Sequence, residues 1–331
     1  MKYQRFPNVS IESIYCGLPK GISNIDSLAV PLLERTRFTR LAQKLGVSQT
    51  HVETYPGELL DICEQLIYQS LGDAKLSINE ISTLICVTQT NQYLIPGLSS
   101  LIQSRIPFPI DSRFIDLNQG CSGFIDSVQL VSNYLSNENR HALVITMESM
   151  SSILDPVDFG NRLLFGDSTS VTLLQFSEES TDMSGFMRYD GNHFKAAFLE
   201  SINVTRKSGA YFSLNGPQIL SLALTAFEDL LLFLSELQIT LEEIDFVVPH
   251  QANRFILDNL IRRYSLDSRK FIVEMNDVGN TSCNSIPLAI CIAQEIHNFS
   301  NKDCILLGFG NGLSWGALRV KFGQIRLKIA Y

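Results

Sequence analysis

The chain has 331 residues, of which 45% are hydrophobic and 18% charged. At roughly 150 residues per domain this predicts two domains or one large duplicated one, with ample apolar mass for a core and too much for disorder. A formal net charge of −8 excludes a surface coated in basic residues for nucleic acid.

The N-terminal run MKYQRFPNVS lacks the apolar region of a secretory signal, and no stretch approaches ~18 uninterrupted apolar residues, so no membrane-spanning helix is expected. The seven cysteines (16, 63, 86, 121, 283, 291 and 304) are scattered and form no CxxC pair. Neither a zinc site nor a disulfide framework is expected. A cytoplasmic chain with free thiols, without metal or cofactor, is the plain reading.

In chain order, apolar strand patterns fall near 83–88, 113–117 and 142–147, and again near 244–248, 271–275 and 303–308. The two sets are related. Val87-Thr88-Gln89-Thr90-Asn91 is echoed by Pro249-His250-Gln251-Ala252-Asn253, an offset of 162, and Cys121 falls on Cys283 at the same offset. Each cysteine opens a helical pattern, Phe124, Val128, Val131 and Leu135 in one case and Ile286, Ile290 and Ala293 in the other. Polar turns follow (136–140 and 298–302), then the runs Ala142–Ile145 and Cys304–Leu307, again 162 apart. Three matches in one register indicate a chain written twice.

Short apolar strands alternating with helical segments predict an α/β fold of mixed sheets with helices on their faces. Each half reads strand, helix, strand, helix, strand. The segment 176–215 is more polar and lacks clear periodicity, which places the boundary there: an N-terminal half over 1–175 and a C-terminal half over 176–331.

In such folds reactive groups gather beyond the carboxyl ends of strands. Those ends carry Cys121, His250, Asn280 and a glycine cluster at 308–312. Gly120 and Gly123 flank Cys121 in a tight turn that runs into a helix, whose positive end favours the thiolate. The plain alternative is a buried cysteine packed as a small hydrophobe. His250 follows Pro249 at a strand end and corresponds to Thr88 in the first half, so one half has acquired an ionisable group. Asn280, in Asp277-Val278-Gly279-Asn280-Thr281-Ser282, reads on its own as a helix cap. The segment Gly308-Phe309-Gly310-Asn311-Gly312 is not GxGxxG; it reads as a turn between the two final strands, with amides free to face an oxyanion.

The order Cys, His, Asn also occurs in papain-like proteases, and 129 residues separate Cys121 from His250. The cysteine's position and context, and the internal repeat, argue against that reading.

The motifs Gly120-Cys121-Ser122-Gly123-Phe124, Leu164-Phe165-Gly166-Asp167, Val248-Pro249-His250-Gln251-Ala252-Asn253, Gly279-Asn280-Thr281-Ser282 and Gly310-Asn311-Gly312-Leu313-Ser314-Trp315-Gly316 are similar to those of the β-ketoacyl-acyl-carrier-protein synthase III family, within the thiolase-like superfamily. The resemblance implies a thiolase-like fold of two duplicated βαβαβ halves in αβαβα layers. It implies that Cys121 takes an acyl group from a thioester, and that His250 and Asn280 bind the carbonyl of a malonyl thioester and stabilise the enolate formed as carbon dioxide leaves. The amides of Cys121 and Asn311 would form a second oxyanion hole.

Acyl carrier protein, acyl-coenzyme A or both are the implied partners, with docking on Arg254, Arg262 and Arg263, and a homodimer is expected. Siblings of the family move acyl groups to alcohols or amines, and others complete heterodimers; an intact Cys121, His250 and Asn280 favours condensation here. The sequence also departs from the family. Trp315 is the only tryptophan, so the family's N-terminal tryptophan clamp on adenine has no counterpart. Phe159 stands where the clamp's arginine is expected, with Arg162 displaced, and Phe255 replaces a docking arginine. Asn311 takes the place of a glycine and Ile95 that of a tunnel phenylalanine. A specialised member is therefore expected.

Overall fold

The structure is a computed structural model that describes residues 1–178, 181–200 and 211–331. In the first part of the chain the strands are β1 (Gln4–Phe6), β2 (Val9–Gly17), β3 (Gly21–Ser23), β4 (Thr50–Val52), β5 (Ile81–Val87), β6 (Arg113–Leu117), β7 (His141–Glu148) and β8 (Ser168–Phe176). The helices between them are α1 (Arg35–Leu45), α2 (Glu58–Ala74), α3 (Leu98–Arg105), α4 (Gly123–Ser132) and α5 (Phe159–Leu164). The remainder carries β9 (Met183–Tyr189), β10 (Ala197–Phe198), β11 (Ser213–Leu214), β12 (Phe246–Pro249), β13 (Asp303–Gly310), β14 (Ser314–Lys321) and β15 (Arg326–Ala330), with α6 (Gly216–Glu236), α7 (Arg254–Arg263) and α8 (Ser285–Ala293).

Two sheets carry the molecule, ordered β15-β2-β8-β7-β5-β6 and β1-β9-β14-β13-β12. The inner pairs repeat: β5 runs parallel to β7, which pairs antiparallel with β8, as β12 runs parallel to β13, which pairs antiparallel with β14. The termini cross over. β1 joins the second sheet through β9, and β15 joins the first through β2.

Helices α4 and α8 lie between the sheets, α4 touching β5, β7, β13 and β14 and α8 touching β2, β15, β12 and β13. Both are therefore apolar on nearly every side: Phe124, Ile125, Val128 and Val131 are fully buried, as are Ile286, Ala289, Ile290 and Ala293. Helices α2 and α3 cover the outer face of the first sheet, and α6 and α7 that of the second. The result is the five-layered αβαβα thiolase-like architecture. Helix α6 is the one described helix long and apolar enough to cross a membrane. Its apolar stripe, including Ala226, Phe227, Leu230 and Phe233, is instead buried in the core of the second half.

Two expectations need correction. The stretch 271–275 is not a strand; it makes a single bridge, Val247 to Phe271. Val247 N–H donates to Lys270 C=O and Ile272 N–H to Val247 C=O, but Pro249 has no N–H with which to continue the ladder. The Gln251 amide takes over, donating to the Pro249 and Ile272 carbonyls and accepting from Glu274 N–H. Within the polar segment 176–215, the described residues supply β9, a strand flanked by β1 and β14. Finally, β13 and β14 are followed by a further strand, β15.

Candidate active site

The carboxyl ends of β12 and β13 and the N-terminal ends of α4 and α8 converge on a cavity of about 580 Å³, lined among others by Cys121, His250, Asn280, Phe309, Gly310 and Asn311. The sequence placed these residues far apart; the fold brings Cys121, His250, Asn280 and Asn311 together.

Cys121 precedes α4 by two residues and keeps partial exposure to the cavity, unlike the other six cysteines, which are buried. The turn that presents it is tight, with Gly123 N–H donating to Gly120 C=O at 2.6 Å. It is also clamped to the β13–β14 hairpin: the Ser122 and Ser314 hydroxyls lie 2.6 Å apart, and Ser314 Oγ donates to Asn311 C=O. Gly310 has to be glycine, because a Cβ there would stand 2.4 Å from Cys121 Cβ and 2.9 Å from its Sγ.

Burial pushes the Cys121 thiol up to about 11, with the Glu148 carboxylate adding to the rise. Hydrogen bonds from the Ser282 hydroxyl and from the backbone N–H groups of Cys121 and Asn311 work the other way. The helix N-terminus was expected to lower this thiol below its ordinary value. A helix end contributes about 0.3–1 kcal/mol, less than one pKa unit, whereas burial shifts a group by several. Burial wins, and the resting group is the thiol.

His250 is 2% exposed. Its backbone N–H donates to Leu307 C=O, its ring meets Phe309 edge-on at 5.3 Å, and Nδ1 lies 2.6 Å from Ser285 Oγ on the first turn of α8. Burial drives the imidazole down to about 3, so the ring is neutral at any physiological pH. The tautomer in which Ser285 donates to Nδ1 places the ring proton on Nε2, where it is a hydrogen-bond donor.

Asn280 is not a helix cap. Its Oδ1 accepts from Ser282 N–H at 2.9 Å, and its Nδ2 donates to Ala252 C=O at 3.1 Å, which leaves a second N–H on Nδ2. The preceding Gly279 has φ +68, and a Cβ there would stand 2.4 Å from Leu164 C=O. That contact is part of the seam where Asn280 bridges Phe165 of the Leu164-Phe165-Gly166-Asp167 motif. Asp167 itself is fully buried and ties Ser151 and Glu53 N–H together, so it braces the seam.

In the glycine hairpin Asn311 does not need the left-handed region; Gly312, with φ +121, takes the turn. The Asn311 amide instead donates to Gln89 Oε1 across the cavity. Sequence reasoning missed Gln89, Ser282, Ser285 and Glu148. The two serines stand inside or beside the Gly279–Ser282 motif. Gln89 stands in the repeated segment Val87–Asn91, whereas Glu148 had no signal beyond its place at the end of β7.

Arg254, Arg262 and Arg263 lie exposed on α7, whose start, Asn253 and Ile256, lines the cavity. Arg254 pairs with Asp258 at 2.7 Å and Arg263 approaches Glu228 at 3.9 Å. Helix α1 packs beside α7 and adds Arg37, Arg40 and Lys44, with Lys44 Nζ 4.5 Å from the ring centre of Phe255. Phe159 packs against Phe38 of α1 in a small apolar cluster, and Arg162 donates to Pro156 C=O.

A duplicated five-layer fold with a cysteine, a neutral histidine and an asparagine on one cavity defines the thiolase-like class of acyl-transferring enzymes. Residues 115–191 match the family model of 3-oxoacyl-[acyl-carrier-protein] synthase III, and residues 234–322 that of its C-terminal part. The β-ketoacyl-[acyl-carrier-protein] synthase III of Clostridium perfringens is 31% identical over 272 residues, 79% of this chain and 84% of that protein. That of Staphylococcus epidermidis is 29% identical over 325 residues, 96% of this chain and 100% of that protein. The crystal structure of a 3-oxoacyl-(acyl-carrier protein) synthase from Burkholderia xenovorans shares the fold, with a TM-score of 0.90 at 23% identity over 100% of this chain and 99% of that one. The chain belongs to the 3-oxoacyl-[acyl-carrier-protein] synthase III family.

Proposed function

We propose that this chain is a decarboxylative condensing enzyme that joins an acyl group held on Cys121 to a malonyl-type thioester, in fatty acid or related acyl-chain biosynthesis. The observation that carries this reading is the convergence of a partly exposed thiol, the His250 ring and the Asn280 amide on one cavity.

Cys121 attacks the donor thioester, and the charge that develops on its carbonyl oxygen falls between the Cys121 and Asn311 amides. The acyl group moves to Sγ and the donor thiol leaves. A malonyl thioester then places its carbonyl oxygen between His250 and Asn280. Loss of carbon dioxide leaves an enolate whose negative oxygen those two donors stabilise, and its carbon attacks the acyl-cysteine to give the β-ketoacyl product. A neutral imidazole suits this task, since it donates without having to be recharged in each cycle. Retention of both donors favours condensation over simple transfer to an alcohol or amine, which forms no enolate.

The carrier is read from the rim. The arginines of α7, joined by the cations of α1, form a basic surface beside the cavity mouth on an otherwise acidic chain, which suits an acidic carrier protein. Phe159 fills apolar space where an adenine clamp needs a cation, which favours carrier protein over coenzyme A as donor. The strand β6 forms an edge of the first sheet, and Leu94 and Ile95, between β5 and α3, stand 77% and 83% exposed. We read this edge as the contact of a homodimer, and the two βαβαβ halves as a single unit in the cytoplasm.

Intact-protein mass after incubation with panels of acyl-coenzyme A and acyl-carrier-protein donors tests the reading. One acyl mass added to the wild type and absent from Cys121→Ser, at least about a 10³-fold loss of loading for removal of a nucleophile, is expected. No adduct from any donor would overturn it.

A further inference from the structure

Loading Cys121 requires its proton to leave, and in the tautomer that donates from Nε2 the buried His250, engaged at Nδ1 by Ser285, has no lone pair to take it. Glu148 supplies what is missing. It ends β7 with no exposed surface, and it is encircled by donors. Gln89 N–H (3.2 Å) and the Thr90 hydroxyl (2.8 Å) reach it from the segment after β5, and the Ser282 hydroxyl (3.5 Å) and Cys283 thiol (3.6 Å) from the segment before α8.

Ser282 is the link, because it lines the cavity together with Cys121 and stands close enough to hold the thiol's ionisation down. Its backbone is held in the left-handed region at φ 53, a conformation that non-glycine residues keep only when the surroundings impose it. The titratable groups facing Glu148 are the thiols of Cys121 and Cys283. Further out, Glu53 accepts from Ser149 Oγ and Asp167 from Ser151. Among the described residues no cation pairs with Glu148.

The geometry points to a proton relay in which the Cys121 thiol passes its proton through the Ser282 hydroxyl to the Glu148 carboxylate. As Sγ bonds to the acyl carbon, Ser282 gives its proton to Glu148 and takes the one from Sγ. The donor thioester's carbon–sulfur bond breaks, and the leaving thiolate takes a proton from solvent. When the enolate carbon later attacks the acyl-cysteine, Sγ leaves as thiolate and recovers its proton from Glu148 by the same route. Over one turnover Glu148 and Cys121 return to their starting forms, and one solvent proton ends on the released thiol. Burial raises Glu148 to about 7, so the carboxylate can both accept and return a proton near neutral pH. It acts through Ser282 and is a positioning and proton-holding residue rather than one that touches substrate.

This relay deepens the proposed condensation and rests on Cys121 being its nucleophile, so the test separates the two. Single-turnover acyl loading, and alkylation of Cys121 by iodoacetamide as a probe that needs no donor, are followed by intact mass from pH 5.5 to 9.5. In the wild type both rates are expected to rise through pH ~7 and level off. In Glu148→Gln both fall about 10²-fold at pH 7.5, the scale of general base catalysis, and climb without a plateau toward the thiol's own ionisation. Glu148→Asp restores part of the plateau, and Ser282→Thr retains what Ser282→Ala loses. Malonyl-thioester decarboxylation in a Cys121→Ala background should change less than about twofold on adding Glu148→Gln.

Two results overturn the relay: a Glu148→Gln profile that matches the wild type, or an equal loss of loading and decarboxylation at every pH, which marks a structural role. A normal alkylation profile with no acyl adduct from any donor would instead overturn the condensation reading and leave the relay standing.

Discussion

The two halves present the same parts and use them differently. Cys121 and Cys283 stand 162 positions apart, each just before the helix that its half sends between the sheets. What differs is the residue opposite, at the end of the strand each cysteine faces. Beside Cys121 it is Gly310, with no side chain. The residue 162 positions earlier is Glu148, and its carboxylate lies against Cys283 Sγ at 3.6 Å. Cys121 therefore opens onto a cavity, while Cys283 is 1% exposed. The same exchange separates Thr88 from His250. In the duplicated scaffold the space beside Cys121 is open, and the corresponding space beside Cys283 is taken by the buried Glu148 carboxylate.

The comparison is sharpest at the donors that only the second half carries. His250→Ala and Asn280→Ala should each lower malonyl-thioester decarboxylation by about 10²–10³-fold, the usual scale for one oxyanion donor. Acyl loading of Cys121 should persist in both. Separate assays of carbon dioxide release and of intact mass check this, and equal loss in both assays would break the division of labour.

Gly310→Ala tests whether open space is what separates the two cysteines. Its Cβ would stand 2.4 Å from Cys121 Cβ, and forced overpacking costs about 1–3 kcal/mol. Loading should fall about 10- to 100-fold if that strain falls on the reactive geometry. The matching control is Glu148→Ala, which opens space beside Cys283; that thiol should become reachable by a maleimide reagent, measured by mass.

The acquired histidine also leaves a mark on stability. Its folded pKa of about 3 lies below the ordinary value near 6.5, so the unfolded chain takes up a proton that the folded chain refuses. Stability is lost as pH falls from about 6.5 toward 3. His250→Thr, which installs the residue the first half has at Thr88, should flatten this slope. Glu148 and Asp167, both raised by burial, act in the opposite sense between their ordinary values and pH ~6–7, but they do so equally in both proteins. The difference in melting temperature between wild type and variant, followed from pH 7 to 4.5, should therefore shift steadily in the variant's favour by a few degrees, about the size of a 1–2 kcal/mol effect.

Much of this was readable in the chain because the duplication repeats local signals. The strand patterns near 113–117 and 142–147 and the two cysteine-led helices follow from apolar runs bounded by polar turns. Cys121 and His250 could be named because motif and repeat pointed at the same positions, and Asn280 because of the Gly279–Ser282 motif alone. What could not be read depends on contacts far apart in sequence. Nothing in Arg326–Ala330 says that it pairs with β2, or in Gln4–Phe6 that it pairs with β9, because strand pairing leaves no local trace. Pro249 announced a strand end, yet the Gln251 amide that replaces the missing ladder at 272–274 could be found only once both segments were in place. The raised thiol of Cys121 escaped for a related reason: the helix end is visible in sequence, whereas the burial that outweighs it belongs to the assembled core.

The smallest effect is expected where the two halves are most alike. Cys283 donates weakly to Val87 C=O at 3.8 Å and to Glu148 at 3.6 Å, and it packs within the central core. Cys283→Ala removes one sulfur from a tight site and should cost about 1 kcal/mol of stability, comparable to a small core truncation, with acyl loading of Cys121 changed less than about twofold. Denaturant unfolding and intact mass measure the two quantities. A large fall in loading would mean that the second cysteine still takes part in the chemistry of the first, and that the carboxylate between them serves both. A small one leaves Cys283 as packing and confines the chemistry to the half in which the space was kept.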